Sequence, residues 1–115
     1  MSRIVKCGLI QCSNVLHPDK NTLAKVKKAM IDKHIKFIEQ AGKKGVQMLC
    51  LQEIFYGPYF CAEQKIRWYE TAEPIPGPTV TLLSKYAKKY KMVLVIPIYE
   101  TPSTGTYYNS AAVVD

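Results

Sequence analysis

An α/β fold organised around a parallel β-α-β crossover is what this sequence predicts, and three observations carry the prediction. Two apolar runs, residues 4–12 and 46–51, show little polar alternation, as expected of strands covered on both faces. Between them lies one long segment whose apolar residues recur at helical spacing. The connections are short and punctuated by Pro18, Gly42 and Gly45, and strand–helix–strand units of this kind cross over right-handedly.

The elements can be justified in order. Residues 4–12 form the first strand. The loop over 14–21 contains Pro18, and Asn21 or Thr22 can cap the helix that runs to about Ala41. On that helix Leu23, Val26, Met30, His34, Phe37, Ile38 and Ala41 trace one face. Lys25, Lys28, Lys33, Lys36 and Lys43 fall largely outside it. Gly42 and Gly45 end the helix, and residues 46–52 are the second strand. An aromatic loop and a short helix around 63–69 follow, after which Pro74, Pro76 and Pro78 keep the chain extended. Thr79 begins a second long helix, with Leu82, Leu83, Tyr86, Ala87 and Tyr90 on one face. Residues 92–99 are the third strand. A turn over 101–106 with Pro102 and Gly105 leads to the fourth, 107–114, as its antiparallel hairpin partner.

Composition narrows the function classes. At 115 residues the chain is one domain at most, and 48% hydrophobic with 22% charged residues is a folding composition rather than a disordered one. No run approaches the roughly 18 apolar residues of a membrane span. The start, Met1-Ser2-Arg3-Ile4-Val5-Lys6, enters a strand pattern at once, which argues against a signal peptide and for a cytoplasmic location. Cys7, Cys12, Cys50 and Cys61 lack CxxC spacing, so reduced thiols are expected, three of them as small buried hydrophobes. His17 and His34 are isolated from each other and from any Cys pair, so no metal site is expected. The net charge of +7 invites a nucleic-acid partner. The lysines read instead as solvated faces of packed helices, with no RNP, KH or zinc-finger pattern beside them.

The chemistry concentrates where the second strand ends. Gln52-Glu53 close that strand, and Ile54-Phe55-Tyr56-Gly57-Pro58-Tyr59-Phe60-Cys61 form a ring-rich turn. A carboxylate at the end of a buried strand, walled by aromatics, is poorly solvated and so better disposed to accept a proton. On spacing alone it could equally be the ion-pair partner of a nearby lysine. Tyr56, Tyr59 and Phe60 are candidate pocket walls, and equally candidate packing residues. Cys61, eight residues past Glu53, could act as a nucleophile only in a cationic or helix-N-terminal setting. Glu100 and Asn109 read as structural.

The stretch Leu51-Gln52-Glu53-Ile54-Phe55-Tyr56-Gly57-Pro58-Tyr59-Phe60-Cys61, followed by Ala72-Glu73-Pro74-Ile75-Pro76-Gly77-Pro78-Thr79, resembles the nitrilase superfamily of carbon–nitrogen hydrolases. Within it the stretch looks most like the β-ureidopropionase and N-carbamoyl amidohydrolase branch. The likeness extends over essentially the whole sequence, including Ile98-Tyr99-Glu100 and residues 107–115. It implies a four-layer α-β-β-α sandwich, of which residues 1–115 are the N-terminal portion of a single, apparently truncated domain. It also implies a mechanism with a Glu general base, a Lys that stabilises the oxyanion, a Cys nucleophile and a further assisting Glu.

Glu53 matches the base. The family's Lys and Cys lie beyond the strand that ends at Asp115, so none of the sixteen Lys/Arg residues and none of the four cysteines takes those roles. The 115-residue chain alone is therefore expected to be inactive. The resemblance implies no cofactor, a small-molecule N-carbamoyl amine or amide as substrate, and a homo-oligomer in the full-length form. N-carbamoyl-β-alanine is the first expectation, N-carbamoylputrescine or an aliphatic amide the alternative. A non-catalytic interaction fragment is the reading from another class.

Overall fold

A computed structural model of the chain describes residues 3–115; Met1 and Ser2, with which the argument against a signal peptide begins, lie outside the described residues. The order is β1 (Cys7–Leu9), α1 (Leu23–Lys43), β2 (Met48–Cys50), two 3-10 turns (Phe60–Ala62 and Ile66–Thr71), α2 (Pro78–Tyr90), β3 (Val93–Ser103) and β4 (Thr106–Val114). One sheet orders the strands β1-β2-β3-β4, the first two pairings parallel and β3–β4 antiparallel. The crossover and the hairpin are as the sequence predicts. β1 and β2 are shorter than expected, β3 runs on through Glu100 to Ser103, and the hairpin turn tightens to Thr104-Gly105. Gly105 there has φ 81°, a left-handed conformation that glycine adopts without strain.

α1 begins at a Thr22 cap, whose side chain accepts from the Lys25 backbone N–H. It ends at Lys43, two residues later than expected. Gly42 lies inside the helix, where an added Cβ would overlap the ring of Tyr90 on α2. Gly45, at φ 71°, is the residue that stops it. The Gly45 and Val46 N–H groups donate back to the carbonyls of Gly42 and Ala41, at 3.0 and 3.1 Å, which satisfies the last carbonyls in a Schellman motif. The buried stripe of α1 is Val26, Met30, His34 and Ile38, and that of α2 is Thr79, Val80, Leu83 and Ala87.

Both helices cover one face of the sheet, where Leu49, Leu94, Ile96, Ile98 and Ala112 are buried. The opposite face corrects the expectation of strands covered on both sides. Leu9, Cys50, Val95 and Val113 lie in register across the four strands on that face, with Leu9 85% and Val113 67% exposed. No element among the described residues packs over it. Uniformly apolar strands announce that two covers are needed without saying which segment supplies the second.

His34 is fully buried against Phe55, with ring centroids 4.8 Å apart. Its Nδ1 lies 2.8 Å from the Met30 carbonyl oxygen and its Nε2 3.8 Å from Cys12 Sγ. A carbonyl can only accept, so Nδ1 carries the proton and Nε2 receives the thiol S–H. Burial lowers the His34 pKa from its ordinary 6.5. The unfolded chain then binds the proton more readily than the folded one, so stability is complete above about pH 6.5 and is lost as pH falls below it. Urea unfolding from pH 8 to 5 should show this decline, and His34→Gln should flatten it; equal slopes would assign it to other groups. The cysteines depart from expectation as well: all four are free thiols, but Cys7 and Cys61 are exposed and Cys12 and Cys50 only half-buried.

Candidate functional site

Glu53 stands three residues past β2, on the carboxyl-terminal side of the parallel strands, where open α/β sheets present their ligand sites. The next residue, Ile54, is buried and has φ 47°. A β-branched residue in that region is strained by about 1–3 kcal/mol and stays there only because its surroundings hold it. This reversal turns Phe55 and Tyr56 inward, both fully buried, and leaves Glu53 pointing outward and exposed. The poorly solvated, aromatic-walled carboxylate expected from sequence is thus corrected: the nearest rings serve the core and the sheet face beneath Glu53 is open. Among the described residues Glu53 has no ion-pair partner. Instead the Asn109 side chain on β4 donates from Nδ2 to Glu53 Oε1 at 2.6 Å.

The three candidate pocket residues separate. Tyr56 is a splice between loop and sheet: its hydroxyl donates to the Tyr99 carbonyl at 3.2 Å and accepts from the Tyr99 N–H at 3.1 Å. Burial pushes its pKa well above the usual phenol range, so it stays a neutral hydroxyl. It is therefore no wall of an open pocket here. Tyr56→Phe should cost roughly 1–3 kcal/mol, because it removes the partner of the buried Tyr99 N–H, whereas the Tyr99 carbonyl keeps the Glu73 N–H at 2.9 Å; a thermal midpoint equal to wild type would sink that account. Tyr59 is 60% exposed. A hydrogen bond with Cys61, and then the negative charge of Glu53, hold its phenol pKa up. Phe60 packs on Tyr99 at 4.7 Å and Trp68 at 6.3 Å. With Cys61, Lys65, Tyr69 and Tyr99 it lines a cleft of ≈ 400 Å³.

A second polar cluster escaped the sequence reading. Glu73, 5% exposed, pairs with Lys27 of α1 and accepts from Thr79, at 3.0 Å from the backbone N–H and 2.6 Å from Oγ1. Lys27 Nζ also sits 4.5 Å from the centroid of the Tyr56 ring. The backbone of Glu73 bridges to β3, donating to the Tyr99 carbonyl and accepting from the Thr101 N–H, both at 2.9 Å. The one available signal was an acid followed by a proline-rich segment, six residues before a threonine in the first turn of α2, which reads as easily as a solvated loop.

A strand-end carboxylate, a strained turn and, separately, an aromatic cleft are what the loop after β2 presents on this mixed α/β sheet, and comparison with known proteins gives the class. The carbon–nitrogen hydrolase family model matches residues 7–115. The chain is 42% identical over 99 residues to the β-ureidopropionase of Arabidopsis thaliana, covering 85% of this chain and 24% of that protein. It is 34% identical over 86 residues to an N-carbamoylputrescine amidase of Oryza sativa subsp. japonica, covering 74% of this chain and 28% of that one. The crystal structure of a carbon–nitrogen hydrolase from Helicobacter pylori G27 superposes with a TM-score of 0.79 at 25% identity, over 95% of this chain and 35% of that one.

The chain belongs to the carbon–nitrogen hydrolase family, within the nitrilase superfamily. It spans about a quarter of the length of these curated relatives.

Proposed function

We propose that this chain is the N-terminal portion of an N-carbamoyl amidohydrolase domain, with Glu53 as its general base. The observation that carries the reading is Glu53 itself, an outward carboxylate at the end of a central strand, set by the strained Ile54 and held by Asn109. In this reading Glu53 takes the proton of a cysteine thiol supplied by the remainder of the domain. The thiolate adds to the carbamoyl carbon and a lysine from the same remainder stabilises the oxyanion. The adduct collapses with loss of ammonia, which leaves with the proton Glu53 took from the thiol. Glu53 then activates the water that cleaves the thioester, freeing the enzyme and a carbamate that breaks down to the amine and carbon dioxide. The open sheet face, with Leu9 and Val113 exposed in register, supports a second sheet packing there to complete a four-layer sandwich and close the site over Glu53.

N-carbamoyl-β-alanine is the first substrate, supported by the likeness to β-ureidopropionase, and N-carbamoylputrescine the second. Tyr59 and Phe60 are proposed to line the substrate cleft. The test is ammonia release by the polypeptide that carries this segment together with the rest of the domain. It should hydrolyse N-carbamoyl-β-alanine faster than N-carbamoylputrescine or an aliphatic amide. The reverse order would move the substrate to an amine or plain amide, and no release from any of them would overturn the enzymatic reading.

A further inference from the structure

We infer that Asn109 is the positioning residue of the Glu53 carboxylate. The inference rests on the reading of Glu53 as base. The two residues are 56 apart in sequence, Glu53 on the loop after β2 and Asn109 on β4, yet Asn109 Nδ2 meets Glu53 Oε1 at 2.6 Å. Only an N–H can face a carboxylate oxygen favourably, so chemistry fixes the orientation of the amide: Nδ2 toward Glu53, Oδ1 away. A neutral donor on an ionised acceptor makes a short, charge-assisted bond.

The bond has a geometric consequence. Asn109 lies opposite Tyr99 in the β3–β4 ladder, and Tyr99 is tied through both backbone groups to the Tyr56 hydroxyl, three residues past Glu53. The carboxylate is thereby fixed from two directions, by its own backbone through Tyr56 and by its oxygen through Asn109. With Oε1 committed, Oε2 is the oxygen left to accept a proton. Two further polar side chains, the Tyr59 phenol and the Cys61 thiol, belong to the loop that follows. Neither offers a fixed donor from the sheet.

A residue that aims a base without touching substrate should alter turnover and leave binding alone. Asn109 is exposed, so truncating it opens no core cavity. In the polypeptide carrying the whole domain, Asn109→Ala should lower kcat by up to about 10²-fold with KM within about twofold, since misaimed catalytic groups cost rates of that order. Asn109→Asp, nearly isosteric but bringing a like charge against Glu53, should lower kcat at least as far. In the amide region of a ¹⁵N-resolved NMR spectrum, the hydrogen-bonded Asn109 Nδ2 proton should lie downfield and return toward the solvent-exposed position in Glu53→Gln. Wild-type kcat in Asn109→Ala, with Glu53→Gln inactive, overturns the positioning role and leaves the base intact. Full activity in Glu53→Gln overturns both. A raised KM with unchanged kcat also overturns it, by assigning Asn109 to substrate binding.

Discussion

Glu53→Gln is expected to abolish measurable ammonia release, with kcat falling by about 10²–10⁴-fold, the contribution typical of a positioned general base. The substitution is close to isosteric and sits on an exposed side chain, so folding should be untouched. Gln cannot take the thiol proton in the first half-reaction or the water proton in the second, so both steps fail together. A burst of acyl-enzyme with slow release would show that the carboxylate serves the second step alone. Undiminished steady-state release would remove Glu53 from the mechanism.

The largest effect on stability is expected from Lys27→Met. Glu73 is buried with three partners, Lys27 and the two donors of Thr79. Removing the cation leaves a buried charge uncompensated, a loss of about 3–5 kcal/mol where a buried pair is broken from one side. Methionine keeps an apolar side chain of similar length, so the loss reports the charge, both its pairing with Glu73 and its place over the Tyr56 ring, rather than packing. Denaturant unfolding measures it. The double variant Lys27→Met, Glu73→Gln should recover a good part of the loss, since the orphaned charge is gone. If the single variant lost under about 1 kcal/mol, the pair would be behaving as a solvated surface contact.

These two clusters show what the sequence could and could not disclose. The crossover, both long helices and the hairpin were legible because periodicity is a local signal: Val26, Met30, His34 and Ile38 share a face whatever they pack against. Glu53 was legible as a strand-end carboxylate, and its motif resembles the family to which the chain belongs. Its surroundings were not, because they depend on the backbone reversal at Ile54. Nothing in an Ile at that position announces a positive φ, and the reversal decides that Tyr56 faces the core while Glu53 faces out. Gly42 misled for a related reason. A glycine near a helix end suggests a stop, but this one is required by the Tyr90 ring of a helix that begins 36 residues later. Contacts between distant segments, such as Lys27 with Glu73 and Glu53 with Asn109, leave no periodic trace.

The Tyr56 hydroxyl, paired at once with the N–H and the carbonyl of Tyr99, does for the loop what a neighbouring strand residue does in a ladder. Residues 54–56 are thus bolted to the sheet and cannot swing without giving up both bonds. The next position is Gly57, whose N–H still donates to the Ile54 carbonyl at 3.2 Å but where an added Cβ would meet nothing within 4 Å. Two mechanical regimes therefore meet at that glycine. Before it, the Glu53 carboxylate is part of the chassis; beyond it, on the proposed reading of Glu53 as base, the arm bearing Tyr59, Phe60 and Cys61 is where different substrate tails would be accommodated without disturbing the carboxylate.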